Sequence, residues 1–213
     1  MKTDDLINAL ARGVEPAERP RWRLNLAITL AAGLVVACLL VAIGLGVRPD
    51  IGAARMPVMM KAMFAALAAA VILPAAMQLM KPGRPLGWRL VAIGLFVALC
   101  AIAAWISLMG EMPEQRWQAW MGGEGRAPWC VVLIPILAAP VAALLTWFMR
   151  SFAPTQLTMA GAAIGALAGG VAAMAYAMYC PTDSVAFVTT WYTLAIAVCA
   201  VLGALVGSRF LRW

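Results

Sequence analysis

The chain has 213 residues, of which 65% are hydrophobic and only 12% charged, with a net charge of +7 and no histidine. That charged share is about half of what a soluble globular domain carries, and several apolar runs exceed the ~20 residues needed to cross a bilayer core. A soluble enzyme, a serine–histidine hydrolase and a histidine-ligated metal centre are thereby excluded, and the positive charge reads as membrane orientation before nucleic-acid binding.

Met1–Arg23 is polar and reads as a short helix followed by a linker. Thr3 can cap it, Asp4 and Asp5 suit its first turn, and Gly13 with Pro16 ends it. Leu6, Ile7, Leu10 and Val14 recur at helical spacing and give it one apolar face. Such a face either rests on the bilayer surface or docks into a partner's groove. The first long apolar run begins near Leu24 and is too long for a signal-peptide core, so no cleavable leader is expected.

Six spans follow, near Leu24–Val47, Pro57–Leu79, Leu86–Met109, Trp129–Phe148, Leu157–Tyr176 and Phe187–Gly207. Pro74 interrupts the second, and Pro135 with Pro140 the fourth; prolines are tolerated there when neighbouring helices satisfy the freed carbonyls. Trp22, Trp88, Trp129, Trp147, Trp191 and Trp213 fall at or near run ends, as interfacial anchors do, and none is expected to serve a cofactor. Of the Lys and Arg residues, eleven collect on the side that holds both termini and five on the other. That asymmetry places both termini in the cytoplasm. The expected fold is therefore an all-α polytopic membrane protein, with residues 1–23 as a cytoplasmic segment and 24–213 as a six-helix transmembrane domain.

Five cysteines divide by depth. Cys38, Cys100 and Cys199 lie deep in apolar runs and act there as small fillers. Cys130, in APWCVVLIP, and Cys180, in MYCPTDSVAFVTTWY, stand at the outer water boundary. In an oxidising compartment such a pair is a structural disulfide, a redox- or metal-responsive dithiol, or two inert thiols, and the residues leave all three open. Pro181 stiffens the loop, and Thr182, Asp183 and Ser184 offer it capping hydrogen bonds. Without histidine, a metal would need Cys130 and Cys180 with a carboxylate such as Asp183, Glu111 or Glu124. That set suits a soft ion bound transiently and argues against a four-ligand zinc site.

Gly161, Gly165 and Gly169 stand four apart in the fifth span, and Gly203 and Gly207 repeat the interval in the sixth. Small residues at that spacing let helix backbones approach closely, either inside one bundle or across a homo-oligomer seam. No ionisable residue lies near the middle of any span, and Lys61 and Arg89 are close enough to span ends to snorkel. Ion-coupled transporters keep such groups at mid-membrane, so a small-solute or metal-ion exporter is only the runner-up. No catalytic motif or resident cofactor is expected.

The opening MKTDDLINALARG, the APWCVVLIPI lip and the CPTDSVAFVTTWY loop, together with six spans, resemble the NrsF-type integral-membrane anti-sigma factors of proteobacteria. The resemblance covers essentially the whole chain, and the two cysteine segments are its most specific part. It implies a cytoplasmic N-terminus that holds an extracytoplasmic-function sigma factor, with Thr3–Leu10 as the contact segment and no direct nucleic-acid binding. It also implies that Cys130 and Cys180 face the periplasm as a sensing pair for heavy metals or oxidants, supported by Pro181, Asp183 and Trp191. In that family an acidic residue commonly follows Cys-Pro. Here Thr182 stands there with Asp183 next, which weakens a metal contact from that position and leaves a thiol–disulfide switch untouched.

Overall fold

A computed structural model of the protein describes residues 21–81, 86–123, 127–152 and 154–210. The segment Thr3–Leu10, with Asp4, Asp5, Leu6 and Ile7, lies outside them. The described residues are helical and contain no strand. In chain order the helices are α1 (Trp22–Leu45), α2 (Arg55–Leu79), α3 (Trp88–Met109), the short α4 (Arg116–Met121), α5 (Ala127–Arg150), α6 (Leu157–Tyr176) and α7 (Val185–Phe210). All but α4 are long and apolar enough to cross a membrane.

Two of the long helices loosen into a single π-type turn, Val41–Leu45 at the end of α1 and Val188–Tyr192 near the start of α7. Such turns are frequent at functional sites. The first ends at Gly46, whose φ of 83° is a conformation that other residues adopt only at a cost. Helix α2 runs on through Pro74, and α5 through Pro135 and Pro140.

Helix α6 is the axis of the bundle. It is the least hydropathic of the six, yet 72% of its span is buried, against 11% for α3 at the periphery. Its sequence explains this: twelve of the twenty residues of LTMAGAAIGALAGGVAAMAY are Ala or Gly, so α1, α2, α5 and α7 can each pack closely against it. The tightest seam joins α6 to α7. A Cβ on Gly161 would run into the Gly203 carbonyl, and one on Gly165 into that of Cys199. One on Gly169 would come within 2.9 Å of the Cys199 Cβ, and one on Gly207 within 2.5 Å of the Gly161 Cα. The five glycines thus lie on one intramolecular contact.

The outside of the bundle is apolar, with Ile43 84%, Trp147 78% and Met56 71% exposed. A surface of this kind suits hydrocarbon rather than water. At one end Trp22 meets Phe152 edge to face, ring centroids 6.4 Å apart. At the other, the α1–α2 and α6–α7 connections meet, with the Arg48 amide donating to the Met178 carbonyl at 3.1 Å. The candidate site lies at this second end.

Candidate functional site

The α6–α7 connection is a tight turn. Helix α6 unwinds after Tyr176, and the Cys180 amide closes the turn by donating to the Tyr176 carbonyl at 3.1 Å. Pro181 has no N–H to extend the helix, and Ser184 is extended before α7 begins. Cys130, in the first turn of α5, lies beside this turn. Its thiol donates to the Tyr176 hydroxyl at 3.4 Å, while the Cys180 thiol points to the Thr182 carbonyl at 3.8 Å. Both cysteines are free, and their sulfurs are near enough to share a hydrogen bond.

The reading of these two residues as thiols at a water boundary needs correcting: Cys130 is 1% and Cys180 2% exposed. They sit at the end of the bundle but under cover. Aromatic rings supply part of it, with Tyr176 packed 5.6 Å from Tyr179 and 6.0 Å from Tyr192, centroid to centroid. The buried Tyr192 hydroxyl lies near the Cys180 sulfur and has no hydrogen-bond partner among the described residues.

Charge supplies the rest. The Lys61 ammonium donates to the carbonyls of Cys180 at 2.7 Å and Thr182 at 2.9 Å, and to the Asp183 carboxylate at 2.7 Å. The Arg48 guanidinium reaches Asp183 at 3.0 Å and the Cys180 carbonyl at 3.3 Å, and holds Asp50 through two further bonds of 2.7 and 2.8 Å. Lys61 does not snorkel. It is 2% exposed, because every acceptor it needs lies on the loop above it. Sequence reading missed this clamp, in which Arg48 and Lys61 meet partners 119 to 135 residues away; the one visible sign was two cations and an unpaired Asp183 bordering the same end.

The electrostatics follow from that geometry. The Cys180 thiol is lowered to about 6, first by its hydrogen bond with Cys130 and then by the charge of Lys61, against the opposing effect of burial. For Asp183, burial acts to raise the pKa, but the hydrogen bonds and charges of Arg48 and Lys61 outweigh it and hold the carboxyl below its ordinary range. Asp50 is likewise lowered, chiefly by its hydrogen bonds with Arg48. Arg48 is raised by the same two carboxylates, Asp50 first.

Trp191 also serves this end of the molecule. Its indole N–H donates to the Trp120 carbonyl at 2.8 Å, and the two rings lie 5.5 Å apart, so it pins α4 against α7. Thr182 adds a hydroxyl contact to the Gly122 carbonyl at 3.4 Å. Among the described residues no three of Cys, Asp and Glu converge as a metal cage, and Asp183 is engaged by two cations. The pair therefore offers two sulfurs, a donor set for a soft, thiol-seeking ion.

Six helices long and apolar enough to cross a membrane, gathered around a small-residue axis and closed at one end by a buried, clamped pair of cysteines, define the class of protein. The chain belongs to the NrsF family, described as "Negative regulator of sigma F", whose model matches residues 10–213. It is 37% identical to "Probable anti-sigma-F factor NrsF" of Azospira oryzae and 36% identical to "Anti-sigma-F factor NrsF" of Caulobacter vibrioides, with 100% of both chains covered in each case. No solved structure matches it.

Proposed function

We propose that the protein is an anti-sigma factor of the bacterial inner membrane. It holds an extracytoplasmic-function sigma factor through its N-terminal segment and releases it when Cys130 and Cys180 react with an oxidant or a soft metal ion. The observation that carries this reading is the end-to-end likeness to two chains named anti-sigma-F factors. The excess of Lys and Arg on the side of the termini supports cytoplasmic ends, and hence a periplasm-facing thiol site. Residues Met1–Arg23, with Thr3, Asp4, Asp5, Leu6, Ile7 and Leu10, are the contact segment.

The two states must differ in their affinity for the sigma factor, by about 1.4 kcal/mol for each tenfold of release. The glycine seam of α6 and α7 runs from the middle of the bundle, at Gly169 and Cys199, to the end opposite the thiols, at Gly161 and Gly207, closely packed backbone along which a change of packing can travel. The test is an affinity pull-down of the tagged full-length protein in mild detergent beside a Met1–Arg23 deletion. A sigma factor captured by the intact chain and lost with the deletion supports the reading; no sigma factor with the intact chain overturns it. For sensing, a strain carrying Cys130→Ser and Cys180→Ser should no longer induce the target genes under stress. A normal response would remove the thiols from the mechanism.

A further inference from the structure

We propose that Lys61 is the positioning residue of the thiol pair: by holding the Thr182 carbonyl it keeps the Cys180 sulfur turned toward Cys130, so that the two can join. This rests on reading Cys130 and Cys180 as the responsive pair. All three hydrogen bonds of the Lys61 ammonium end on residues 180–183. The Thr182 carbonyl that accepts from Lys61 at 2.9 Å also faces the Cys180 thiol at 3.8 Å. One oxygen is thus fixed by the lysine and in turn orients the sulfur. Pro181 lies between the two residues and restricts the loop further. On the other side Cys130 is fixed by the first turn of α5 and by the Tyr176 hydroxyl.

Lys61 is 2% exposed. A buried ammonium persists only where acceptors offset its lost hydration, and here every acceptor belongs to the reactive loop. Arg48 does not duplicate the role, because its side-chain bonds go to Asp50, Asp183 and the Cys180 carbonyl and leave Thr182 to the lysine.

The test follows the joining reaction directly on the full-length protein in mild detergent, with diamide as oxidant. One sulfur–sulfur bond forms, and the two electrons and two protons of the thiols pass to the N=N bond, which becomes a hydrazine. Acid quenching, alkylation and peptide mass spectrometry read the yield of the Cys130–Cys180 cross-link with time. Lys61→Met should slow joining at least tenfold, and Lys61→Arg, which keeps N–H donors at that place, should restore it to within about threefold. Asp50→Asn removes the outer acid of the Arg48 pair and leaves Lys61 with all three of its acceptors, so joining should stay within about threefold of wild type. A wild-type rate in Lys61→Met overturns the assignment. A tenfold loss in Asp50→Asn overturns it too, since the ion-pair network and not the Lys61–Thr182 contact would then set the geometry; this arm holds even where Lys61→Met fails to fold. A normal stress response in the Cys130→Ser, Cys180→Ser strain would sink the sensing reading, a failure distinct from either of these.

Discussion

The Lys61 ammonium stands 2.7 Å from the Asp183 carboxylate across 122 residues of chain, the lysine side chain 2% and the aspartate 36% exposed. One partner is interior and the other lies at the rim. The lysine therefore depends on the aspartate more than the aspartate on the lysine. Arg48, 5% exposed, shares the same carboxylate at 3.0 Å, so a single acid at the rim offsets two buried cations, with Asp50 taking part of the arginine.

Replacing Asp183 by Asn keeps the shape and removes the charge. Breaking a fully buried pair costs about 3–5 kcal/mol. Because Asp183 meets solvent along one edge, the expected loss is about 1–3 kcal/mol, seen as a lower thermal unfolding midpoint in detergent. The pH dependence has a definite sign. The Asp183 carboxyl is held below its ordinary value of 3.8 because Arg48 and Lys61 outweigh burial, and Asp50 is lowered as well. A group with a depressed folded pKa contributes stability that is present above its unfolded pKa and is lost as pH falls through the lower folded one. The difference in midpoint between wild type and Asp183→Asn should therefore hold steady from pH 7 to about 5 and shrink below about pH 4. An equal midpoint for the variant would show that the carbonyls alone hold the cations.

The α6–α7 seam predicts a contrast between glycines of the same sequence type. A Cβ on Gly165 would run into the Cys199 carbonyl and the Gly203 Cα, both backbone, which cannot swing aside. Gly165→Ala should cost about 1–3 kcal/mol through overpacking, and Gly165→Leu should prevent the bundle from closing. Gly94, in α3, has nothing within 4 Å of its Cβ position. Gly94→Ala should be neutral or raise stability by up to about 1 kcal/mol through helix propensity. Unfolding midpoints of the two alanine variants in one detergent check the contrast, and equal values would refute it.

What could be read from the sequence is what contiguous residues carry. The six apolar runs end within three residues of the helix ends, because hydropathy is summed along the chain. The four-residue spacing of Gly161, Gly165 and Gly169 marks a helix face that needs close approach, and the structure sets that face against Cys199, Gly203 and Gly207. What could not be read depends on lateral neighbours. The depth of Cys130 and Cys180 along the bundle was visible, but not that Lys61, Arg48 and three tyrosines close over them. A lysine in the second turn of a span has a ready alternative in snorkelling, and only the position of residues 180–183 decides against it. The central place of α6 was hidden for the opposite reason: its low hydropathy understates how well Ala and Gly pack. No local signal marks the π-turns at Val41–Leu45 and Val188–Tyr192.

Trp191 gives a local prediction. Its indole donates to the Trp120 carbonyl, and the amides of Gly122 and Gly123 in turn bond the Gln118 carbonyl at 2.9 and 3.0 Å. Trp191→Phe keeps most of the ring packing and loses the one hydrogen bond, worth about 1 kcal/mol. Hydrogen–deuterium exchange should speed up over residues 116–123 and stay unchanged along the α6–α7 seam. A uniform acceleration would mean that Trp191 supports the whole bundle rather than the α4 contact.

The two thiols of the site should also differ in how alkylation responds to pH. An ordinary cysteine gains reactivity up to and beyond its value of 9.0, because the thiolate is the nucleophile. Cys180 is lowered to about 6, first through its hydrogen bond with Cys130. Its alkylation by iodoacetamide, followed on the 180-containing peptide by mass spectrometry, should rise between pH 5 and 7 and then level off. At 2% exposure the plateau rate should still be well below that of the unfolded chain, since the loop must open to admit the reagent. Cys130→Ala removes the largest cause of the shift while burial continues to oppose the thiolate, so the rise should move toward pH 9. An unchanged profile in that variant would show that Cys130 does not set the reactivity of Cys180, and that Lys61 and the other neighbours of the sulfur do.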